Sequence, residues 1–380
     1  LKLRAGYGEV GNTAVDPYRT WGGLARTVYA FGDAGAFGFG QSEISNPNLG
    51  WEVSKTLNIG LDFGLWDDRF SGTFEYYNTI TEDLLLERFL PSTSGYSSVL
   101  ENVGSTRNRG WELTLNYAIL KNSSGLNWDV SMNIFSNKEE IVELFNGEDD
   151  DVGNQWFIGH PIDVFYNFQF DGIYQTEDAT EAAAAGLAPG DIRIADVNGR
   201  DENGFLTNQP DGVINNDDRT ILGSTVPDWS GGLSSRLSYK GINFSILVYT
   251  RQGQMVNSSL HDVAGNSWEG RYNNMNFNYW TPENPSNEIP IPRQGNQPLY
   301  ASALRFRDGS FVKVKNITLG YDLTNSLIQT DKISSMEIYF SALNPFIFAE
   351  YDLVDPETAN GNVGVSNPLS TKTYMVGIKA

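Results

Sequence analysis

The sequence has no cysteine. That excludes a disulfide framework and any thiolate metal site. Histidine occurs twice, at His160 and His261, each in a loop-like context without a second ligand at metal spacing. A zinc centre or a Ser–His–Asp triad is therefore not written into any local motif. Glu139 and Glu140 are adjacent, and neighbours in a strand or helix point apart, so they make no acid–base dyad. Basic residues are scarce: 26 Lys and Arg against 47 Asp and Glu give a formal net charge of −21, which argues against nucleic acid as a partner. No apolar run approaches the roughly 18 residues of a transmembrane helix. Nor does the chain open with a charged, then apolar, leader. It starts at Leu1 as a strand already under way, which is expected of a piece of a longer polypeptide.

What the sequence has is alternation. Leu57, Ile59, Leu61, Phe63 and Leu65 share one parity, with Asn58, Gly60, Asp62 and Gly64 on the other. A period of two sends these sets to opposite faces of a strand. Asp67-Asp68 turns the chain, and Phe70, Phe74 and Tyr76 resume the pattern against Ser71, Thr73 and Glu75. The unit recurs. Leu113, Leu115, Tyr117 and Ile119 alternate with Glu112, Thr114 and Asn116, and Trp128, Val130, Met132 and Ile134 follow after a turn at 121–125. Leu233, Leu237 and Tyr239 lead through Lys240-Gly241 into Ile242, Phe244, Ile246 and Val248, and Ile338, Phe340, Tyr374, Val376 and Ile378 close the series. A soluble sandwich also alternates, but its strands average about five or six residues. These runs are nearer ten, with very short turns on one side and long polar loops on the other. That asymmetry is the signature of an antiparallel transmembrane β-barrel, which needs no apolar helix because its strands satisfy their hydrogen bonds laterally. About a dozen to fourteen strands are expected, and a closed barrel needs more from elsewhere. Trp66 and Tyr239, beside turns, are candidates for the interfacial aromatic belts.

Between the strands, the Gly-rich 32–41 lacks the strand–turn–helix context of a phosphate cradle and reads as loop or turn. The segment 137–151, with an acidic run ending at Glu148–Asp151, reads as a solvated loop. In 180–186 (TEAAAAG), Thr180 is expected to cap a short helix and Gly186 to end it. Asp196, Asn198, Asp211 and Asp218 echo a calcium loop, with oxygen ligands near a Gly turn. About a dozen residues separate Asn198 from Asp211, however, so the competing expectation is a loop of Asx turns bonding its own backbone. Calcium is the only metal the sequence suggests, and no cofactor is required. The proline-rich 253–298 reads as a loop ordered by aromatics, and the parity slip near Asn316 marks a bulge.

Six blocks occur in an order that resembles the C-terminal barrel of SusC/RagA-type TonB-dependent outer-membrane transporters. They are 46–86 (NPNLGWEVSKTLNIGLDFGLWDDRF…), 102–117 (NVGSTRNRGWELTLNY), 159–175, 190–233, 308–323 (DGSFVKVKNITLGYDL) and 339–357 (YFSALNPFIFAEYDLVDPE). The resemblance covers nearly the whole chain. It implies the C-terminal part of a plugged 22-strand barrel over residues 1–380, with the plug and TonB-engaging segment N-terminal to it. It also implies import of glycan or peptide fragments powered through TonB, with a SusD-like surface lipoprotein as lid. Outer-membrane lipid would cover the apolar face. Polar residues such as Asn58, Asp62, Glu75, Glu112 and Asn116 would then line the lumen or face the plug. The ending Gly377–Ala380 departs from the family's aromatic terminus. A passive barrel in a surface assembly and a soluble calcium-binding β protein are the alternatives.

Overall fold

A computed structural model describes residues 1–13, 15–121, 125–145, 147, 149–261, 277–293, 298–324, 335–351, 353–358, 361–363 and 370–379. Ten strands form one sheet: β1 (Lys2–Asn12), β2 (Glu52–Leu65), β3 (Phe70–Glu82), β4 (Ser105–Lys121), β5 (Leu126–Glu143), β6 (Trp229–Tyr239), β7 (Ile242–Gln252), β8 (Phe311–Asp322), β9 (Glu337–Ala349) and β10 (Thr373–Lys379). Each lies beside the next in chain order. This meander follows from the short links at 66–69, 122–125 and 240–241, which leave no room for a crossover. The opposite connections, 13–51, 83–104, 144–228, 253–310 and 350–372, are long. The sheet has ten strands where a dozen or more were expected, because the remaining short strands pair within these connections. Residues 32–41 were expected as a loop, yet Ala34–Gln41 is a strand paired with Leu24–Phe31. Its period of two is hidden because Gly and Ala fill one face.

Apolar and polar parities separate as the alternation requires. Leu57, Ile59 and Leu65 are 41–48% exposed, Leu319 is 49% exposed and Val376 76%. The molecule's buried clusters lie elsewhere, in the long connections. Leaving a large aliphatic side chain in water forgoes about 1.5–3 kcal/mol each, so a dozen such residues on one face require an apolar cover. The band has an edge. Beyond Leu57 the same parity of β2 carries Lys55, which ion-pairs Glu82 at 2.6 Å, while its register partner Glu9 accepts from Tyr7 Oη at 2.6 Å. From Leu57 to Leu65 is about 27 Å along the strand at ~3.4 Å per residue, or about 21 Å after a ~40° tilt. That is close to the ~25 Å band of outer-membrane barrels. β4 and β5, at 17 and 18 residues, exceed the roughly 9–11 needed to cross and so run on beyond it.

The chain divides into two compact units, one of 1–65, 71–113 and 135–162, the other of 66–70, 114–134 and 163–380. In the second unit a bulge crosses three strands. Register shifts occur between Leu247 and Val248 of β7 and between Val314 and Asn316 of β8, opposite Asn344-Pro345 of β9. Asn344 takes a left-handed φ of 49°. The parity slip near Asn316 is this bulge.

The short helix is α1 (Ala179–Ala184), and Thr180 lies inside it instead of capping it. The capping box belongs to the preceding 3₁₀ turn, where Gln175 and Asp178 exchange backbone bonds. Gly186, at φ 72°, does end the helix: its N–H reaches the Ala183 carbonyl, and Leu187 N–H reaches that of Ala182.

Candidate functional site

The polar parity of the sheet is a hydrogen-bonded surface. In the first unit Arg4 forks onto Asp62, with Nε and Nη2 each 2.9 Å from a carboxylate oxygen, and its Nη2 lies 2.6 Å from Glu75. Thr73 Oγ1 adds a bond to Asp62 at 3.2 Å. Gly60 makes room for this fork, since a Cβ there would sit 2.8 Å from Arg4 Nη2. Ser54 meets Thr81 and Thr56 meets Thr79, both at 2.9 Å. Tyr77 lies over Gly110 and donates to Asn137 at 2.9 Å. Of the five polar residues singled out in the sequence, Asp62 and Glu75 therefore converge on Arg4. Asn116 accepts from Ser131 in the second unit, Asn58 is half-buried and Glu112 is exposed. Glu140 pairs with Arg107 at 3.1 Å while Glu139 accepts from Ile162 N–H at 3.2 Å, so the two carboxylates point apart.

The long connections of the second unit build their own cores. Phe168, Ile173, Ile192 and Ile194 from 144–228 pack with Trp280, Ile289, Ala303 and Leu304 from 253–310. Trp280 Nε1 donates to Gln175 Oε1 at 2.9 Å, and Asn287 Oδ1 accepts from Ile173 N–H at 2.7 Å. Glycine is required at 190, where φ is 90° and a Cβ would lie 2.6 Å from the Trp280 ring. A second cluster joins Val256 and Leu260 to Tyr351 and Val363. His261 shares Ser258 with Tyr351 and stands beside the rings of Phe277 and Tyr351. The His160 backbone accepts from Ile141 N–H and donates to the Phe157 carbonyl.

The second unit also holds an ion cluster that sequence reading missed. Lys313 Nζ, 3% exposed, contacts Asp355, Glu357 Oε2 at 2.7 Å and Ser370 Oγ at 3.4 Å, while Lys315 reaches Glu357 Oε1 at 2.5 Å. Burial works to raise both carboxyls. Hydrogen bonds from Lys313, with Ser370 on Asp355 and Lys315 on Glu357, outweigh it and hold both below the usual carboxylate range. The signal was present as two lysines in FVKVK and two acids in DPE, but some forty residues separate them.

The calcium-loop residues come together in one connection. Asp196 accepts from Asp211 N–H at 3.3 Å and Gly212 N–H at 2.6 Å. Asp218, fully buried, accepts from Val197, Asn198 and Asn215 N–H at 2.8–3.2 Å. Asn198 Oδ1 takes Asn208 N–H and Asp211 Oδ1 takes Val213 N–H. Backbone amides thus occupy oxygens that a cation would use. Among the described residues no group of three or more His, Asp or Glu is placed to hold a metal.

A family model described as "TonB dependent receptor-like, beta-barrel" matches residues 1–344. TonB-dependent receptor P26 of Formosa agariphila is 32% identical across 97% of this chain and 37% of its own length. TonB-dependent receptor SusC of Bacteroides thetaiotaomicron is 29% identical across 100% of this chain and 37% of its own. The solved RagAB peptide transporter superposes with a TM-score of 0.76 at 29% identity, over 99% of this chain and 40% of that one. The chain therefore spans about two-fifths of the length of these relatives.

Proposed function

The chain belongs to the TonB-dependent receptor-like β-barrel family of the outer membrane, and on that footing we propose that it forms the C-terminal wall of an active importer of oligomeric nutrients. The cargo class is glycan or peptide fragments. A SusD-like surface lipoprotein covers the mouth, and TonB supplies the work through a part of the protein outside this chain. The chain itself carries no reaction; its polar parity provides the passage wall and its long connections the contacts to cargo and lid.

One observation carries this reading. Large apolar side chains alternate along ribbons long enough to span a bilayer and stay exposed, while the connections bury cores of their own. A soluble binding protein would reverse that distribution. The peptide cargo named for the RagAB neighbour supports peptides as the cargo class, and the receptor named for the SusC relative supports work supplied through TonB. The test is extraction of the full-length protein from outer membranes, with uptake of labelled oligomers measured in cells with and without TonB. Co-purification of a surface lipoprotein and TonB-dependent uptake are expected. Recovery without a lipoprotein, with uptake indifferent to TonB, contradicts the proposal and leaves a passive barrel.

A further inference from the structure

The first unit holds a cavity of about 160 Å³ between the connections 13–51 and 83–104. Arg19, Ser42 and Glu43 line it from one connection, and Glu87, Ser97 and Ser98 from the other. The guanidinium reaches two carboxylates, with Nε 3.0 Å from Glu43 and Nη2 3.9 Å from Glu87. Among the described residues the three serine hydroxyls bond no protein group. The walls are fixed to each other. Asn46 Nδ2 donates to the Leu100 carbonyl at 2.9 Å, and Asn102 Oδ1 accepts from Gly50 N–H at 2.6 Å. The cavity is therefore built before any ligand arrives.

Two aromatic residues flank Arg19 on the same turn. Tyr18 and Trp21 are 74% and 75% exposed, with ring centroids 5.5 Å apart and planes tilted by 44°. Arg19 N–H bonds the Asp16 carbonyl at 3.1 Å across Pro17 and Tyr18. This is a type II turn, whose third residue takes a positive φ and favours glycine. Tyr18 stands there instead, at φ 68°. A bulky aromatic residue held in that strained conformation, with its ring in water, points to something the ring meets.

Resting on the import reading, we propose that this cavity and its aromatic rim bind a neutral sugar unit of the cargo. Two carboxylates against one guanidinium repel a phosphate or a uronate, and Arg19 already occupies the place a cation would take. Small-molecule sites are mostly apolar. The surface of this one is mostly polar, where an apolar side chain of a peptide would need the reverse. A sugar has both surfaces the site asks for. Its C–H face packs on an aromatic ring, and its hydroxyls donate to carboxylates and accept from a guanidinium or a serine. At about 160 Å³ the cavity is smaller than the ~300 Å³ of a drug-sized site and holds about five waters at ~30 Å³ each, which is room for one ring.

The test is a glycan microarray probed with the labelled full-length protein in detergent, followed by calorimetry on the glycans it retains. Neutral oligosaccharides are expected to bind and their acidic counterparts to be rejected. Trp21→Ala and Glu87→Gln, both at exposed side chains, should each weaken the retained glycan about tenfold with the melting midpoint unchanged. Trp21→Tyr should recover part of the loss, and Ser97→Trp, which fills the cavity, should abolish binding. Retention of no neutral glycan overturns the assignment, as does an affinity that is equal in wild type, Trp21→Ala and Glu87→Gln. So does a peptide array on which Ser97→Trp removes binding while sugar binding is untouched. Each of these leaves import standing, since TonB-dependent uptake is measured separately; uptake indifferent to TonB would sink import and leave the sugar site. Should Ser97→Trp fail to fold, the two exposed substitutions still decide the matter.

Discussion

Lys313 is the most deeply buried cation among the described ion pairs. Its ammonium is buried with Asp355 and Glu357. Lys313→Met strands the buried Asp355 carboxylate and leaves Glu357 to Lys315 alone; it is expected to cost about 3–5 kcal/mol, read as a lower melting midpoint. Lys315→Met removes a partly exposed partner and should cost no more than about 1 kcal/mol. The pH dependence has a definite sign. The Asp355 and Glu357 carboxyls sit below their unfolded values, so their stabilisation is complete above about pH 5 and is lost as pH falls through the folded values. A melt series should therefore be flat from pH 5 to 8 and decline below about 4, and Lys313→Met should flatten that decline. Calcium at Asp196, Asn198, Asp211 and Asp218 is likewise a proposal decided at single residues. A bound cation raises the melting midpoint with concentration, whereas carboxylates already held by amides predict no shift on adding calcium or a chelator. Asp218→Ala would orphan three amides and cost about 1–3 kcal/mol with calcium present or absent.

At the scale of strands, the two parities predict opposite tolerances. Ile59→Arg or Leu319→Arg places a guanidinium against lipid, costing about 2–4 kcal/mol near the midplane, measurable as lost folding into vesicles. Thr79→Arg, on the polar parity, should fold nearly as well as wild type. Gly110→Val should fail for a steric reason, since a Cβ there lies 2.5 Å from both Tyr77 Oη and the Ser136 carbonyl. This scale is also where the sequence was most readable. Alternation located most strands of the sheet, because period two is a local property and one face must be apolar throughout; it missed the end of β5, where 137–143, read as loop, continues the strand to Glu143. It misplaced Ala34–Gln41, where glycines erase the contrast. It also set the start of the 180–186 helix at Thr180, because the true capping box lies one turn earlier at Gln175 and Asp178. The Lys313 cluster, the Arg4 fork and the Trp280 core escaped it altogether. Each joins residues 40 to 110 positions apart, and no local pattern encodes such a meeting.

For the whole molecule, the central claim is that lipid covers one parity of the sheet. It accounts together for ribbons long enough to cross, ionic pairs where the apolar band stops at Lys55 and Glu82, and cores confined to the connections. The absence of cysteine makes the decisive measurement clean within this chain, because each introduced thiol is unique there. Single replacements Leu57→Cys through Asp62→Cys, spin-labelled in the full-length protein in bilayers, report relative access to oxygen and to a water-soluble nickel chelate. The account predicts a strict period of two, with oxygen dominating at 57, 59 and 61 and the chelate at 58, 60 and 62. Equal access at both parities, or chelate access highest at 57, 59 and 61, would contradict it.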